Sequence, residues 1–467
     1  MQDRLLWFKD NVIWGLPTFL LLFGTGFYFT CKLKWIQLRK WNVILRSLFH
    51  KRIKQTKRGV TPLQATCTAL AGTIGTGNIA GVTSAIALGG PGAVFWMWIS
   101  SFFGMATKFA EITLSIHFRK KMPNGEFRGG PMYYIKYGLG KNLKWLSVPF
   151  CLFGILCSFG IGNMTQVNTV VASLESTLTN LGYSPNLLSF PVGLLMAGLV
   201  LIVSIGGASR IGKGTEHLVP IMGGFFLLGC LMVLFKYRTE LGKAFLLIFK
   251  TAFRPQSVLG GGVGLSLRHA FRYGIGRGIF SNEAGLGSAP IAHASAETDS
   301  AVKQGFYGII EVFVDTILLC SLTALTILTA HLGTNGFIPF GENVSGTVLM
   351  QRAFQTMIGA NASGIVLTFT LFLFAFSTLL SWNLYGARCF EFLFGRRCLL
   401  LYQILYACMA ILGSILDVKL IWDISDILNG LMLLPNLIAI LLLSGTVIGL
   451  TESYFTEQQK PERFAKL

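Results

Sequence analysis

Charged side chains are scarce in this chain of 467 residues, where Asp, Glu, Lys and Arg together supply only 13%. That is about half the share of an ordinary soluble domain, too little to cover the surface of a water-soluble chain of this length. The composition therefore excludes an ordinary cytosolic enzyme. Paired cysteines are lacking too. None of the nine cysteines forms a CxxC motif, so the sequence indicates neither a disulfide framework nor a zinc centre.

Catalytic motifs are also missing. The sequence contains no HExxH, P-loop or GxSxG motif, and none of its six histidines stands at ligand spacing from a histidine, cysteine or carboxylate cluster. A membrane-embedded enzyme would need a nucleophile beside a base, or a set of metal ligands. That class therefore stays a distant alternative, and no organic cofactor is expected. A channel is disfavoured because no repeated filter segment or ring of charges appears.

Apolar residues, by contrast, are abundant. They make up 52% of the chain, and its mean hydropathy is +0.61. Because a membrane-crossing helix takes about 20 predominantly apolar residues, we predict an all-α polytopic membrane protein with about eleven spans in a lipid bilayer. The predicted spans are 12–31, 62–88, 92–117, 147–173, 190–206, 215–236, 258–294, 305–331, 363–387, 399–414 and 421–449.

Lysine and arginine are distributed unevenly between the connections. One set of connections, which includes the C-terminus, holds 26 of them, and the opposite set holds 9. Because cytoplasmic connections are enriched in these residues, we expect the N-terminus outside and the C-terminus in the cytoplasm. This asymmetry, rather than nucleic-acid binding, explains the net charge of +19. The basic stretch 237–257 is an exception, and we predict a short amphipathic helix there on the outer surface.

Two predicted spans have compositions that a continuous lipid-facing helix would not carry. Four glycines crowd the middle of the span 62–88, with polar residues between them. The span 258–294 holds nine glycines between 260 and 287, with three arginines, an asparagine and a glutamate. Glycine favours non-helical backbone, which persists at membrane depth only inside protein or beside a water-filled cavity. We therefore predict two broken helices, although close helix packing would also favour small residues.

Each broken span opens a block of five spans, 62–236 and 258–449. Because five is odd, the second block must be inverted relative to the first. Paired broken helices in inverted repeats are typical of the substrate site of a secondary transporter. The remaining parts are an extra N-terminal span with a basic cytoplasmic loop (1–61), an outer connection (237–257) and a cytoplasmic tail (450–467). The oligomeric state is left open.

Five segments form long and specific strings. They are 75–81 (GTGNIAG), 89–104 (GGPGAVFWMWISSFFG), 162–166 (GNMTQ), 277–293 (RGIFSNEAGLGSAPIAH) and 376–382 (FSTLLSW). Together they resemble the signature of the sodium:alanine symporter family, also called the alanine/glycine:cation symporters, over nearly the whole chain. The resemblance implies the leucine-transporter fold. It also implies uptake of small neutral amino acids, alanine or glycine, with sodium across the plasma (cell inner) membrane.

An amino acid carries two charges, and both need partners inside a membrane. Free N–H groups at the start of a half-helix suit the carboxylate, and unwound carbonyls suit the ammonium group. Each break can supply both kinds of group, and the resemblance adds side chains. The expected substrate-binding residues are Gly75, Thr76, Gly77 and Gly276 at the breaks and, by resemblance, Asn78, Gln166, Phe280 and Trp382. An interhelical hydrogen bond for Gln166 and a packing role for Trp382 are the alternatives.

Sodium prefers hard oxygen ligands. Ser377 and Thr378 offer adjacent hydroxyls in the ninth predicted span, although such hydroxyls alone would more often bond to their own helix. In the fold that the resemblance implies, a cation lies between the broken first core helix and a hydroxyl pair on the eighth. The resemblance therefore implies Ser377, Thr378 and the carbonyls of Ala71 and Ile74 as sodium ligands.

Ionisable residues within spans are functional candidates. Lys108 and Glu111 stand at i and i+3 and are expected to pair. Glu311 and Asp315 stand at i and i+4, where like charges repel, so we expect one to be protonated or to pair with an arginine of the span 258–294. Glu283 is expected either in a structural ion pair at the break or in coupling. A proton-coupled amino-acid carrier that uses Glu283, Glu311 or Asp315 is therefore the alternative to sodium coupling.

Overall fold

The computed structural model describes residues 7, 9–48, 59–123, 125–184, 188–253, 267–342, 346–416 and 418–464. Nearly all of this part of the chain is helical. The one sheet in these ranges is a hairpin of two-residue strands, β1 (Lys120–Lys121) and β2 (Phe127–Arg128), in which Lys120 lies opposite Arg128. The fold is therefore all-α, as the sequence predicts.

Helices of the first half come in an order that follows the predicted spans. They are α1 (Leu16–Lys32), α2 (Ile36–Arg39), α3 (Trp41–Leu48), α4 (Pro62–Thr73), α5 (Gly77–Gly89), α6 (Ala93–His117), α7 (Pro131–Gly138), α8 (Lys144–Asn180), α9 (Ser189–Ser204), α10 (Gly207–Lys236) and α11 (Leu241–Phe253). Helix α8 is continuous but contains a π-helical turn at Gly160–Met164.

The second half supplies the remaining helices. They are α12 (Leu267–Asn282), α13 (Ala289–His293), α14 (Ala301–Leu332), α15 (Val348–Ile358), α16 (Ala360–Phe394), α17 (Leu399–Ile415), α18 (Val418–Leu442) and α19 (Ser444–Phe464). Helix α14 contains a π-helical segment at Phe313–Cys320. Residues 254–266, which include the end of the predicted connection 237–257 and the start of the predicted span 258–294, lie outside the described part. The last predicted span, 421–449, is interrupted between α18 and α19.

The first predicted break lies between α4 and α5. Helix α4 begins with a capping box, in which Thr61 Oγ1 accepts a hydrogen bond from Gln64 N and Gln64 Oε1 accepts one from Thr61 N, both at 3.0 Å. It ends at Thr73, and Ile74 leaves the helical region with ψ of 88°. Helical geometry resumes at Gly77, so only three residues separate the two half-helices.

The second break begins later than the sequence suggests. Gly276 and the residues up to Asn282 belong to the regular helix α12, and the chain unwinds only after Asn282. Glu283 there adopts a left-handed conformation with φ of +55°, uncommon for a residue with a Cβ atom. Gly285 and Gly287 follow with φ of +93° and +80° before α13 starts. The unwound segment is therefore 283–288.

The four half-helices pack in crossed pairs, α4 with α13 and α5 with α12, and α12 and α13 both lie on α6. A parallel bridge between Val60 and Ala296 ties the beginning of α4 to the end of α13. Arg119, just after α6, donates to the carbonyls of Ala294, Ala296 and Thr298. Burial lowers the pKa of Arg119 to about 10, so it still carries its charge at neutral pH.

Six helices of the described residues are long and apolar enough to cross a membrane, and α5 and α9 are shorter apolar helices. Large apolar side chains on these helices are exposed, among them Ile221 at 63%, Leu228 at 64% and Phe235 at 72% in α10. Soluble proteins rarely expose contiguous apolar surface of this kind. The chain is accordingly a multi-pass membrane protein, and the number of spans and their orientation stay predictions.

Candidate functional site

The break between α4 and α5 releases backbone carbonyls that an intact helix would use. In a continuous helix Gly75 N would bond to Ala71 O, and Asn78 N to Ile74 O. Instead Gly75 N donates to Asn78 Oδ1 at 3.0 Å, and Asn78 N donates to Gly75 O at 3.2 Å. The carbonyls of Ala71 and Ile74, both predicted sodium ligands, are therefore freed from helical pairing at this point.

Helix α16 brings its hydroxyl pair against the same break. Ser377 Oγ donates to Ala71 O at 3.3 Å and to Phe374 O at 2.8 Å, and Thr378 Oγ1 donates to Phe374 O at 3.0 Å. A Cβ atom on Gly75 would lie 2.6 Å from Thr378 Oγ1, so only glycine allows this approach without a shift. Both hydroxyls therefore bond to a carbonyl of their own helix, as the alternative expectation has it. Both also lie against the broken helix, Ser377 at Ala71 O and Thr378 at Gly75.

These oxygens fit a sodium ion by their chemistry. Ala71 O, Phe374 O and the two hydroxyls are neutral hard oxygens that already contact one another, so a cation could replace the hydrogen bonds between them while the hydroxyls stay protonated. All of the side chains concerned are buried. The Phe374 carbonyl was missed from the sequence, because a carbonyl carries no residue-type signal. Its position one helical turn before Ser377 could have suggested it.

Helix α8 contacts the break through Gln166. Its Oε1 accepts hydrogen bonds from Thr76 Oγ1 at 3.0 Å and from Thr76 N at 3.3 Å, and its Nε2 donates to Ile161 O at 3.1 Å. Ile161 belongs to the π-helical turn of α8, and such turns are frequent at functional sites. Gln166 therefore forms an interhelical bond at the place where the substrate is expected.

Asn78 belongs to a second polar cluster, which links both broken helices to α14. Its Nδ2 donates to Asp315 Oδ1 at 2.7 Å and to Ser281 Oγ at 3.1 Å. Asp315 Oδ2 also accepts from Ser281 Oγ and from Thr316 Oγ1, both at 2.8 Å. This fully buried carboxyl group lies in the π-helical segment of α14 and bonds to three neutral donors. The sequence singled out Asp315 but not Ser281 or Thr316 as its partners.

Trp382 and Glu283 join α16 to the unwound segment after α12. The indole Nε1 donates to Glu283 Oε1 at 3.1 Å, and Ser288 Oγ donates to Glu283 Oε2. Trp382 is only 1% exposed and packs on Gly162, where an added Cβ atom would lie 2.3 Å from the tryptophan Cβ. These hydrogen bonds hold the unwound backbone, which is the structural role expected for Glu283. The donors are neutral side chains, so the expected ion pair is replaced by hydrogen bonds.

Phe280 lies beside the break as well, whereas Gly276 does not. A Cβ atom on Gly77 would lie 3.7 Å from the Phe280 ring, which stacks on Trp422 with centroids 5.8 Å apart. A Cβ atom on Gly276 would instead meet the ring of Phe19 in the N-terminal helix α1, at 3.6 Å. The structure therefore brings seven of the eight expected substrate residues to the two breaks and α8, and it leaves Gly276 on the side that faces α1.

The buried charges pair differently from the sequence expectation. Lys108 Nζ lies 3.1 Å from Glu311 Oε1, and His293 Nε2 lies 3.1 Å from Glu311 Oε2. Gln304 Nε2 contacts the other ring nitrogen of His293 at 2.8 Å. The partners of Glu311 are thus Lys108 and His293 rather than an arginine of the span 258–294. The expected pairing of Lys108 with Glu111 is wrong, because α14 presents a carboxylate at closer range than the next helical turn does.

Glu111 is held by a different group. It accepts a hydrogen bond from Asn436 Nδ2, which also donates to Gly285 O at 2.8 Å, while Tyr134 donates to Asn436 Oδ1. Asn436 in α18 thereby connects α6, α7 and the unwound segment. It had no motif to mark it in the sequence. Among the described residues no group of three or more His, Cys, Asp or Glu could hold a metal ion.

This bundle of apolar helices with two broken members has the leucine-transporter fold. The solved structure of MhsT in complex with L-phenylalanine has this fold. It matches at a TM-score of 0.60 over 83% of this chain and 90% of that chain, at 17% identity.

The whole chain, residues 2–466, matches the sodium:alanine symporter family, and it belongs to that family. The sodium/alanine symporter AgcS of Methanococcus maripaludis is 41% identical over 97% of each chain. A Bacillus subtilis protein named "Probable sodium/glutamine symporter GlnT" is 37% identical over 98% of this chain and 91% of its own. Family and fold together point to an amino-acid transporter rather than an enzyme, and the family implies sodium as the coupling ion.

Proposed function

We propose that this protein takes up small neutral amino acids, alanine or glycine, together with sodium across the cell inner membrane by alternating access. One observation carries the proposal. The break after α4 frees the carbonyls of Ala71 and Ile74, and α16 places the hydroxyls of Ser377 and Thr378 at that break. These four groups, with Phe374 O, would hold sodium and would supply neutral oxygens in place of its hydration shell.

The substrate carboxylate would bind at the start of α5. Two N–H groups there, on Gly75 and Thr76, now bond to side-chain amide oxygens of Asn78 and Gln166 at 3.0 and 3.3 Å. A carboxylate is a stronger acceptor than an amide oxygen, so it would displace them, and the helix dipole favours it. Gly77, Phe280 and Trp382 complete the proposed site. Gly276 is left out because it faces α1.

Alternating access would use the arrangement of the repeats. We propose that the blocks 62–236 and 258–449 are inverted repeats that rearrange around this site. Sodium would bridge α4 and α16, while the amino acid would bind the adjacent start of α5. Each ligand therefore favours the same arrangement of these helices, so each should raise the affinity of the other.

Transport into proteoliposomes tests the proposal. Uptake of labelled alanine should require an inward sodium gradient and should stop when potassium replaces sodium. Thr378→Val keeps the shape of the side chain and removes an oxygen. Its apparent sodium affinity should fall about 10-fold, as expected for the loss of one buried polar contact, whereas alanine affinity at saturating sodium should change less.

Thr370→Val is the matched control for that measurement. Thr370 lies in the same helix, is equally buried, and bonds to its own helix through Val366 O at 2.8 Å. This substitution should leave sodium dependence unchanged. An unchanged sodium dependence in Thr378→Val would remove the proposed site, and alanine uptake without sodium would remove the coupling.

A proton-coupled carrier is the second candidate, and Asp315 is the observation that favours it. This buried carboxyl group bonds to neutral donors and lies where both broken helices meet α14. A proton bound there would alter the contacts of Asn78 and Ser281 together. For this candidate, a pH gradient alone should drive uptake without sodium, and Asp315→Asn should abolish it. Asp299→Asn, at a site 61% exposed, is the control. If a pH gradient drives no alanine uptake by the unmodified protein, this second candidate is excluded.

A further inference from the structure

A cavity of about 230 Å³, with no residue of the broken helices in its lining, lies between the β-hairpin, α7 and the end of α16. It joins two connections, 118–146 and 388–398, that the lysine and arginine count assigns to the same side of the membrane. One water occupies about 30 Å³ of liquid, so the cavity has room for a polar group of several heavy atoms. Basic and aromatic side chains dominate its lining.

An ion-pair network forms one wall of this cavity. Glu391 pairs with Arg128 and, at 3.0 Å, with Arg388, while Glu126 lies 3.4 Å from each arginine. Two arginines and two glutamates balance in charge. Arg128 is 9% exposed, and its Nε has no hydrogen-bond partner in the structure. The network thus fixes two guanidinium groups, and the buried Nε–H of Arg128 remains available to a ligand.

Two lysines at the opening add positive charge that this network does not balance. Lys120 Nζ lies 3.7 Å from the ring centroid of Tyr137, and Lys136 Nζ lies 4.9 Å from that of Phe392. Among the described residues neither lysine forms an ion pair, so both ammonium groups rest on aromatic faces. Burial raises the pKa of Tyr133 to about 12, so its hydroxyl on the lining stays protonated.

We infer that this cavity binds a phosphate group, the headgroup phosphate of an anionic phospholipid. Guanidinium groups match phosphate oxygens in geometry, and lysines add point charges. Exposed aromatic side chains belong to the same two connections: Tyr137 is 44% exposed, Trp145 60% and Phe394 54%. Such side chains are typical of the membrane interface, where lipid phosphates lie. Basic pockets at that level between spans bind anionic headgroups.

The consequence concerns α16. The cavity wall contains Arg388 and Glu391, on the helix that also carries Ser377, Thr378 and Trp382. A headgroup held there would bind the hairpin, α7 and the end of α16 together. It should therefore raise the thermal unfolding midpoint of the protein by mass action. This inference depends on membrane insertion of the chain and not on the proposed sodium coupling.

The test uses the full-length protein in a neutral detergent. Dispersed phosphatidylglycerol, phosphatidylcholine and inorganic phosphate are added separately, and the unfolding midpoint and lipid binding by native mass spectrometry are measured. Phosphatidylglycerol should raise the midpoint and bind, and phosphatidylcholine should do neither. Lys120→Ala/Lys136→Ala should bind phosphatidylglycerol about 30-fold more weakly, since each lysine near a lipid surface contributes about fivefold. Lys120→Arg/Lys136→Arg should retain binding.

Lys141→Ala/Lys144→Ala is the matched control. It removes two exposed charges from the same connection without touching the cavity lining, so binding should persist. If this variant loses as much phosphatidylglycerol binding as Lys120→Ala/Lys136→Ala does, the lipid is attracted by general positive charge, and the inference is overturned. Stabilisation by inorganic phosphate alone, lost in Lys120→Ala/Lys136→Ala, would replace the lipid with a free phosphate ligand. An unaltered midpoint with phosphatidylglycerol would also overturn it. Sodium-driven alanine uptake is measured in parallel, and its failure bears on the proposed function alone.

Discussion

Trp382 donates its indole N–H to the carboxylate of Glu283 at 3.1 Å, across 99 residues of sequence. This bond fastens α16, the helix with the hydroxyl pair, to the unwound segment after α12. Glu283 also holds Ser288 on the far side of that segment. One buried carboxyl group therefore secures both the backbone with positive φ and the aromatic residue proposed to line the substrate site.

We expect Glu283→Ala to lower both the unfolding midpoint and alanine uptake, since Trp382 Nε1 and Ser288 Oγ each lose an acceptor at about 1–3 kcal/mol. Trp382→Phe removes the donor and part of the buried ring volume, and a double-mutant cycle separates the two effects. A double-mutant cycle of Glu283→Ala and Trp382→Phe on the unfolding free energy should show coupling of about 1–3 kcal/mol. Strictly additive effects would contradict a direct bond between the two side chains.

Trp98→Phe provides the reference for that cycle. Trp98 Nε1 donates to Ser321 Oγ at 2.6 Å, a bond that involves neither Trp382 nor Glu283. Loss of this hydrogen bond should lower the unfolding free energy by an amount similar to Trp382→Phe, but the effect should be additive with that of Glu283→Ala. Alanine affinity should be unchanged in this variant and reduced in Trp382→Phe.

Gly162→Ala should displace Trp382. A Cβ atom at this position would lie 2.3 Å from Trp382 Cβ, and neither α8 nor α16 can yield by a side-chain rotation alone. Alanine uptake should fall at least about 10-fold, the effect of roughly 1.4 kcal/mol of overpacking, and the unfolding midpoint should fall with it. Gly198→Ala in α9 is the control, because nothing lies within 4 Å of the added atom there. Normal uptake by Gly162→Ala would show that Trp382 can move without cost.

The break in α4 and α5 could be predicted from sequence because its causes are local. The glycines at 75 and 77 and the amide of Asn78 lie within four residues, and the carbonyls they release follow from the helical register. The capping box at Thr61 is similarly local. This break could therefore be predicted from the residues themselves, whereas the leucine-transporter fold and the sodium role of Ser377 and Thr378 were implied by the family resemblance.

The second break was placed too early, for a physical reason. Glycines 274 and 278 permit close packing of α12 on α6, where added Cβ atoms would lie 2.3 Å from Ala93 O and 2.4 Å from Ser100 Oγ. These two glycines therefore allow close helix packing, which was the sequence-based alternative to a broken helix. The pairings of Glu311 with Lys108 and of Glu283 with Trp382 depend on tertiary contacts, which no spacing along one helix encodes.

Orientation follows from the uneven distribution of lysine and arginine. We expect a tag at the N-terminus to react with a membrane-impermeant reagent on intact cells, and a tag at the C-terminus to react only after permeabilisation. Labels at exposed positions 141 and 396 should both behave like the C-terminal tag. If both termini report the same side, the number of spans is even, and the prediction of eleven spans, with one extra N-terminal span outside the two blocks, fails.

The last prediction concerns the size of the amino acid. Trp382 packs on Gly162 of α8, and Phe280 lies near Gly77 with its ring stacked on Trp422. We expect these two aromatic rings, beside closely approaching backbone, to leave room only for a hydrogen or methyl side chain. One methylene in an apolar pocket changes binding by only about 1–3 kcal/mol, so leucine must be excluded by steric overlap.

Trp382→Ala should therefore admit leucine while weakening alanine uptake, measured as competition by unlabelled amino acids against labelled alanine. Trp145→Ala is the control, since that side chain is 60% exposed and far along α8 from Gly162. It should leave selectivity unchanged. Ser381 precedes Trp382 in α16, and its Oγ donates to Thr68 O at 2.6 Å, which fixes the serine side chain between α16 and α4 and limits the space beside Trp382. Ser381→Gly should accordingly favour alanine over glycine more than the unmodified protein does. If Trp382→Ala still rejects leucine and transports alanine normally, Trp382 is a packing residue, and the size limit must come from Phe280 and the backbone of the breaks.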